Sequence, residues 1–287
     1  MELTDKTIVP RNITFGISNS PTRHWAGGDA MKTSMIDCLS IFLPEGERFF
    51  IRSLKHYLPQ IRNEEVRNEI RGYSVQEAFH TREHEDYNRA LTDLGYDVVG
   101  MEAQIKQTLR NDNDAVINLA ITCAIEHLTM SFSMVTLANP EILEGAPAPY
   151  KRLWIWHAVE ELEHSAVSLD VFDEVTAHWP SWKRYGLRIS TFNVVLFKMS
   201  KMQLRNMAKY AEADGEVIDW RFQIRALWAV YVNPGFMRLG FVNIIKYFLP
   251  GYRPKVKSFA HLLKFGRAFI GREIPELAHD SVPLSSK

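Results

Sequence analysis

Cysteine is nearly absent from this chain of 287 residues: only Cys38 and Cys123 occur, both in apolar surroundings and outside any CxxC or CxxxC pattern. Two isolated thiols exclude a disulfide framework and a thiolate zinc site, and they fit a reducing cytoplasm. The N-terminus, MELTDKTIVPRNITF, lacks a basic-then-apolar design, so no signal peptide is expected. Long apolar runs are missing as well. Uncharged stretches such as residues 189–197 and 226–237 are too short to span a bilayer, which predicts a cytoplasmic protein, at most peripheral to the inner membrane.

Acidic residues are missing from one part of the chain, and this makes the formal net charge of zero misleading. Residues 1–180 carry 16 Lys and Arg against 27 Asp and Glu, whereas residues 181–272 carry 17 against 4. Residues 182–211 hold seven basic side chains and no acid, and residues 220–272 hold ten and again no acid. Such asymmetry predicts two parts: a helical bundle over 1–180 and a basic, aromatic-rich helical extension over 181–287 packed on it.

What the chain does have is helical periodicity almost throughout. Pro44-Glu45-Gly46-Glu47 has the composition of a helix start, leading into a stripe of Phe49, Phe50, Leu54 and Leu58. A second helix is expected over 64–94, stopped by Gly95. A short helix over 101–109 and a cap in Asn111-Asp112-Asn113-Asp114 precede a long apolar helix over 115–137. After a Pro/Gly-rich loop a fourth long helix is expected over 149–177. Further helices are expected over 182–211, 220–232, 236–248 and 258–269, with a frayed tail over 279–287. The fold class is therefore all-α, a four-helix bundle with a long crossover between its second and third long helices, plus C-terminal helices.

On these helices one layout occurs twice. Glu47 is followed by Glu77-Ala-Phe-His80, and Glu126 is followed by Glu161-Leu-Glu-His164. A lone Glu and then Glu-x-x-His, repeated, is the ligand plan of a carboxylate-bridged di-metal site in a helical bundle, because i and i+3 share a helix face. The pairs alone decide little, since composition gives about 0.7 of them by chance. The surroundings of Glu126 decide more: LAITCAIEHLTMSFSMVTLA carries no other Asp, Glu, Lys or Arg, and a carboxylate buried there is costly unless paired or bound to a cation. The alternative is a buried Glu held by one Arg or by Tyr hydroxyls.

His84 and His157 extend the two stripes, as further ligands or as groups that tune the ligands. Glu160 is an alternative to Glu161, being i,i+4 with His164. His127 is rotated about 100° from Glu126 and reads as packing or support. Thr122 and Thr129 lie one turn either side of Glu126. Glu83 and Glu163 are expected to point elsewhere, into solvent. The metal set is thus Glu47, Glu77, His80, His84, Glu126, His157, Glu161 and His164, and four carboxylates with two to four imidazoles suit iron or manganese.

The strings FLPEGERFF, QEAFHTREHEDYN, AIEHLT and WHAVEELEH resemble signature blocks of a bacterial family catalogued as predicted metal-dependent hydrolases, over roughly residues 30 to 260. The resemblance implies a ferritin-like fold of the di-iron carboxylate group. A further block of that family often reads Pro-Gly-Phe-His-Pro; here Pro250-Gly251-Tyr252-Arg253-Pro254 places Arg where the His stands.

The ligand set itself points first to a non-heme di-iron oxidoreductase, an O₂-dependent oxygenase or oxidase acting on a hydrophobic or anionic small molecule. Its catalytic residues would be Glu47, Glu77, His80, Glu126, Glu161 and His164, with two Fe ions and O₂ as co-substrate. Hydrolysis by a water shared between two metals is the second reading, and metal storage or sensing the third. The basic extension has a functional reading as a site for anionic amphiphiles, acyl carriers or membrane surface, against a bland one as a solvated basic face. No nucleic-acid motif is present, and the aromatics keep helical packing spacing. A homodimer is compatible with such a helical chain.

Overall fold

The computed structural model describes residues 8–110 and 113–274, and among them it contains helices and no strand, so the chain is all-α as expected. The first long helix, α1 (Ala30–Tyr57), begins where the Asp29 side chain accepts from the Lys32 backbone N–H at 2.9 Å. It runs straight through the segment that reads as a helix start, with Pro44 inside it. The physical reason is local. Proline removes the amide that would have bonded the Ser40 carbonyl, and the Asn88 side-chain amide donates to that carbonyl instead, at 3.3 Å. Gly46 is needed one turn after Phe42, because a Cβ there would stand 2.8 Å from the Phe42 ring.

The second helix, α2 (Glu64–Asp93), starts on an Asn63 cap and stops as Gly95 takes a positive φ of 92°. The connection to the next long helix contains α3 (Val98–Thr108). The expected cap at Asn111-Asp112 lies outside the described residues; Asp114, at the cap position, makes no side-chain capping bond. Then α4 (Ala115–Ala138) passes through the middle of the molecule. By length and composition this helix could cross a membrane, contrary to the reading of short apolar runs, but it is mostly buried inside the fold. Neighbours on all sides explain its all-round apolarity.

The expected helix over 149–177 is two: α5 (Ala148–His164) and α6 (Val167–Val175). Just past His164 the Ser165 hydroxyl donates to the Leu162 carbonyl at 3.1 Å, a local bond that competes with continuing the helix. Helices α7 (Ser181–Ala213), α8 (Trp220–Tyr231), α9 (Phe236–Lys246) and α10 (Ala260–Glu273) complete the described chain, and the tail over 279–287 lies outside it.

The packing pairs α1 with α2 and α4 with α5, while α1 against α4 and α2 against α5 close the ring of four. The later helices lie against this ring: α6 on α4 and α2, α7 along α1 and α4, α8 on α1, α9 on α4, and α10 on α5 and α4. The change of charge near residue 180 is not a break in packing, since one hydrophobic cluster includes Leu128 and Trp156 of the ring together with Phe192, Phe222 and Leu263. Full burial of such side chains is worth roughly 1.5–3 kcal/mol each.

Candidate metal centre

The four helices of the ring each aim acids or histidines inward. Glu47 comes from α1, Glu77, His80 and His84 from α2, Glu126 from α4, and His157, Glu161 and His164 from α5; all eight are buried. The structure gathers them. Glu77, Glu161 and His164 form one group whose ligand atoms lie within 4.8 Å of one another, and Glu47, Glu77 and His80 form a second. His80, His157 and Glu161, and Glu47, His84 and His157, form two more that overlap with these. Glu126 joins at the His164 side, its Oε2 3.6 Å from His164 Nε2. Glu77 is common to the first two groups, with Oε1 3.1 Å from His164 Nε2 and 4.0 Å from His80 Nδ1.

Around this cluster lies a layer of groups that point its ligands. Gln76 Oε1 accepts from His164 Nδ1 at 2.9 Å, which leaves Nε2 bare and directed at Glu77 and Glu126. Tyr73 donates to Glu126 Oε1 at 2.6 Å, and Thr81 donates to Glu47 Oε2 at 2.8 Å. Ser40 donates to Asn88 Oδ1 and so accepts from His84 Nδ1, both at 2.9 Å. The bare His84 Nε2 then faces His157 Nδ1 at 3.3 Å, and His157 Nε2 lies 3.4 Å from Glu161 Oε1.

Glu160 and Glu161 divide the work left open between them. Glu161 faces the cluster. Glu160 accepts from Trp156 Nε1 and the Arg11 guanidinium, both at 3.1 Å, and places Oε2 3.2 Å from His80 Nε2, beside but out of line with a hydrogen bond. His80 Nδ1 is thereby left toward Glu161, at 3.8 Å.

Two expectations are corrected. Glu163 is buried, not solvated: it accepts from Arg11, Gln76 and Arg267, the Arg11 contact being 2.7 Å. Glu83 is buried too, accepting from the Phe15 backbone N–H at 2.8 Å and from Arg82. Both corrections come from the segment before α1, which packs over α2 and α5 and brings cations and amides no helical period foretells. His127 is a packing residue; its Nε2 lies 3.0 Å from the Asn243 carbonyl and its ring meets Tyr247. Arg253 sits on Asp170, outside the cluster.

A cation fits this donor set. Glu47 Oε1, both oxygens of Glu77, Glu161 Oε2, His80 Nδ1 and His164 Nε2 are buried and have no hydrogen-bond partner, a concentration of orphaned lone pairs that a folded protein does not tolerate without a compensating charge. Electrostatics agree. Burial and the neighbouring carboxylates push Glu77 and Glu47 well up, and burial together with Glu161 raises Glu126 to about 8. Burial lowers His80 and His157 to about 3, keeping both neutral and able to donate a lone pair. Burial would raise Glu161 as well, but its pairing with His164, whose own value that carboxylate raises, outweighs burial and brings Glu161 to about 2.

An apolar cavity reaches the cluster from one side. Its walls include Leu39 and Phe42 of α1, Thr129 and Phe132 of α4, Trp154 and His157 of α5, and Met199 of α7. Of the eight inward-facing residues only His157 lines it. Thr129 is therefore on the open side, although its hydroxyl donates back to the Glu126 carbonyl; Thr122 is fully buried with its hydroxyl unpartnered.

Sequence reasoning missed Arg11, Gln76, Tyr73, Thr81, Ser40 and Asn88. For Tyr73 and Thr81 a signal existed, since Tyr73, Glu77, His80, Thr81 and His84 follow at spacings of three, four or one along a single face of α2. Arg11 carried none.

A family model described as "Predicted metal-dependent hydrolase" matches residues 9–258. No curated protein and no solved structure matches the chain.

Proposed function

The chain belongs to the predicted metal-dependent hydrolase family, and from that premise we propose that it hydrolyses a small-molecule substrate at the buried Glu/His cluster. One observation carries the reading: unpartnered carboxylate oxygens and imidazole nitrogens from the ligand-bearing helices converge on a common space. Glu77, Glu126, Glu161 and His164 would hold one ion, and Glu47, Glu77 and His80 a second, Glu77 being common to both sets. Bound there, the ions would supply Lewis acidity toward the scissile group and make a water acidic enough to attack at neutral pH.

The remaining chemistry belongs to the chain. The file Asn88, Ser40, His84 passes its hydrogen bonds in one direction and leaves His157 Nε2 free of a proton. Because His157 also lines the apolar cavity, its unprotonated nitrogen is the cluster's hydrogen-bond acceptor nearest a substrate held there, and it orients that substrate. The apolar walls exclude bulk water from the approach, and Gln76, Tyr73, Thr81 and Glu160 fix the side chains they touch, so that orientation is in place before substrate arrives.

The family description favours hydrolysis over the oxygenase that the ligand set first suggests. The test is anaerobic. Apoprotein reconstituted with zinc or manganese and offered a panel of ester and amide substrates is expected to bind two ions per chain and release product without O₂. An inert zinc form beside an iron form that consumes O₂ would instead establish the oxidoreductase.

A further inference from the structure

Beside the cavity that ends at His157 lies a larger groove, about 730 Å³, between α7 and the pair α3 and α4. Ile105, Ile117, Ile121, Ile125, Val194 and Val195 make its apolar lining. Arg110, Lys198, Lys201 and Arg205 are exposed and line it too, with no acidic residue among its walls and no described carboxylate paired to any of the four. Phe42 and Met199 belong to both the groove and the cavity at His157, so the two spaces share a wall.

We propose that this groove is a binding site for a monomeric single-chain anionic amphiphile, whose charged head rests on Lys198, Lys201, Arg205 and Arg110 and whose chain lies along the isoleucine lining toward Phe42. The argument is one of complementarity. A concave apolar surface of ligand size is a standard recognition site, and basic side chains without acidic partners around it select a negative head group. Lysine and arginine stems can cover the chain while their charged ends stay in water beside the head. The site accounts for Lys198, Lys201 and Arg205 among the seven basic residues that 182–211 carries without an acid. Binding stands on the groove alone; only the identification of this ligand as substrate rests on the hydrolase reading.

Dodecyl phosphate, kept below its micellar concentration, is titrated calorimetrically into the metal-loaded protein. It is expected to bind at one site, and the uncharged dodecyl maltoside at least about tenfold more weakly. The double variant Lys198→Glu/Lys201→Glu is expected to lose about tenfold or more in affinity with metal content unchanged. Val194→Trp, which fills the groove, is expected to abolish binding of both. Equal affinity for the charged and uncharged chains, or indifference to the charge reversal, overturns the proposal. So does binding confined to vesicles of equimolar phosphatidylcholine and phosphatidylglycerol, which would mark a bilayer contact instead. Dodecyl phosphate binding to a metal-loaded protein that turns over none of the ester and amide substrates would leave the groove standing and sink the hydrolase.

Discussion

Inside the ring of α1, α2, α4 and α5, Glu47, Glu77, Glu126, Glu161 and their histidines are withdrawn from water, whereas α8 and α9 turn large apolar side chains out to it. Trp220 is 66% exposed, Trp228 56% and Phe241 58%. Each region departs from the usual burial pattern, but the physical cost differs by an order of magnitude. A stranded buried charge costs several kcal/mol, while single exposed apolar side chains are common and nearly free. The buried acids therefore demand an explanation from within the structure, and convergence on a cation supplies one. The exposed apolar face demands much less.

Glu77→Gln attacks the comparison at its strongest point. Because burial and four neighbouring carboxylates oppose its charge, its removal should weaken metal binding by about a thousandfold or more and yet raise the melting temperature of the chelated protein. A chelated variant less stable than chelated wild type would mean that the acids serve as a structural network. The next effect is smaller. Gln76→Leu frees His164 from its acceptor, and metal affinity measured by competition with a chelator should fall about 10- to 100-fold.

Asp37 tests whether every buried acid here needs a cation. It accepts from Trp25 Nε1 and the Tyr87 hydroxyl, and burial lifts it to about 7. Between its ordinary value near 4 and about 7 the folded state holds a proton that the unfolded state has lost, so stability falls as pH rises through that window. Denaturant titrations at pH 4 and pH 8 should show this slope, and Asp37→Asn should remove it, gaining on the order of 2 kcal/mol at pH 8. A variant that keeps the wild-type slope would place the titration elsewhere. The smallest effect belongs to the outer face: Trp228→Ser should shift unfolding free energy by no more than about 0.5 kcal/mol. A larger loss would show that α8 is covered in solution.

The helices were legible because their periods are long and their stops are chemical, as at Asn63 and Gly95. The start of α1 was misread because Pro44 and two acids imitate a first turn; only the Asn88 amide, 44 residues away in sequence, makes an interior proline tolerable there. The division of the fourth long helix at Ser165 was hidden for a similar reason, a single hydroxyl-to-carbonyl bond. Candidate ligands were readable from i, i+3 and i+4 spacing together with the uncharged setting of Glu126. The choice between Glu160 and Glu161 was not, since adjacent residues on a helix differ by about 100° and Arg11, from a segment without helical period, takes one of them away.

The sequence by itself determined which side chains share a helix face, because that depends only on the 3.6-residue turn; this covers the all-α class and the two Glu/His stripes. The tertiary structure decided which faces meet, which nitrogen of each imidazole is left bare, and which acids are neutralised by arginine instead of turned inward. Those outcomes depend on contacts between residues far apart in the chain, such as Arg11 with Glu163, 152 positions apart, and no local period encodes them.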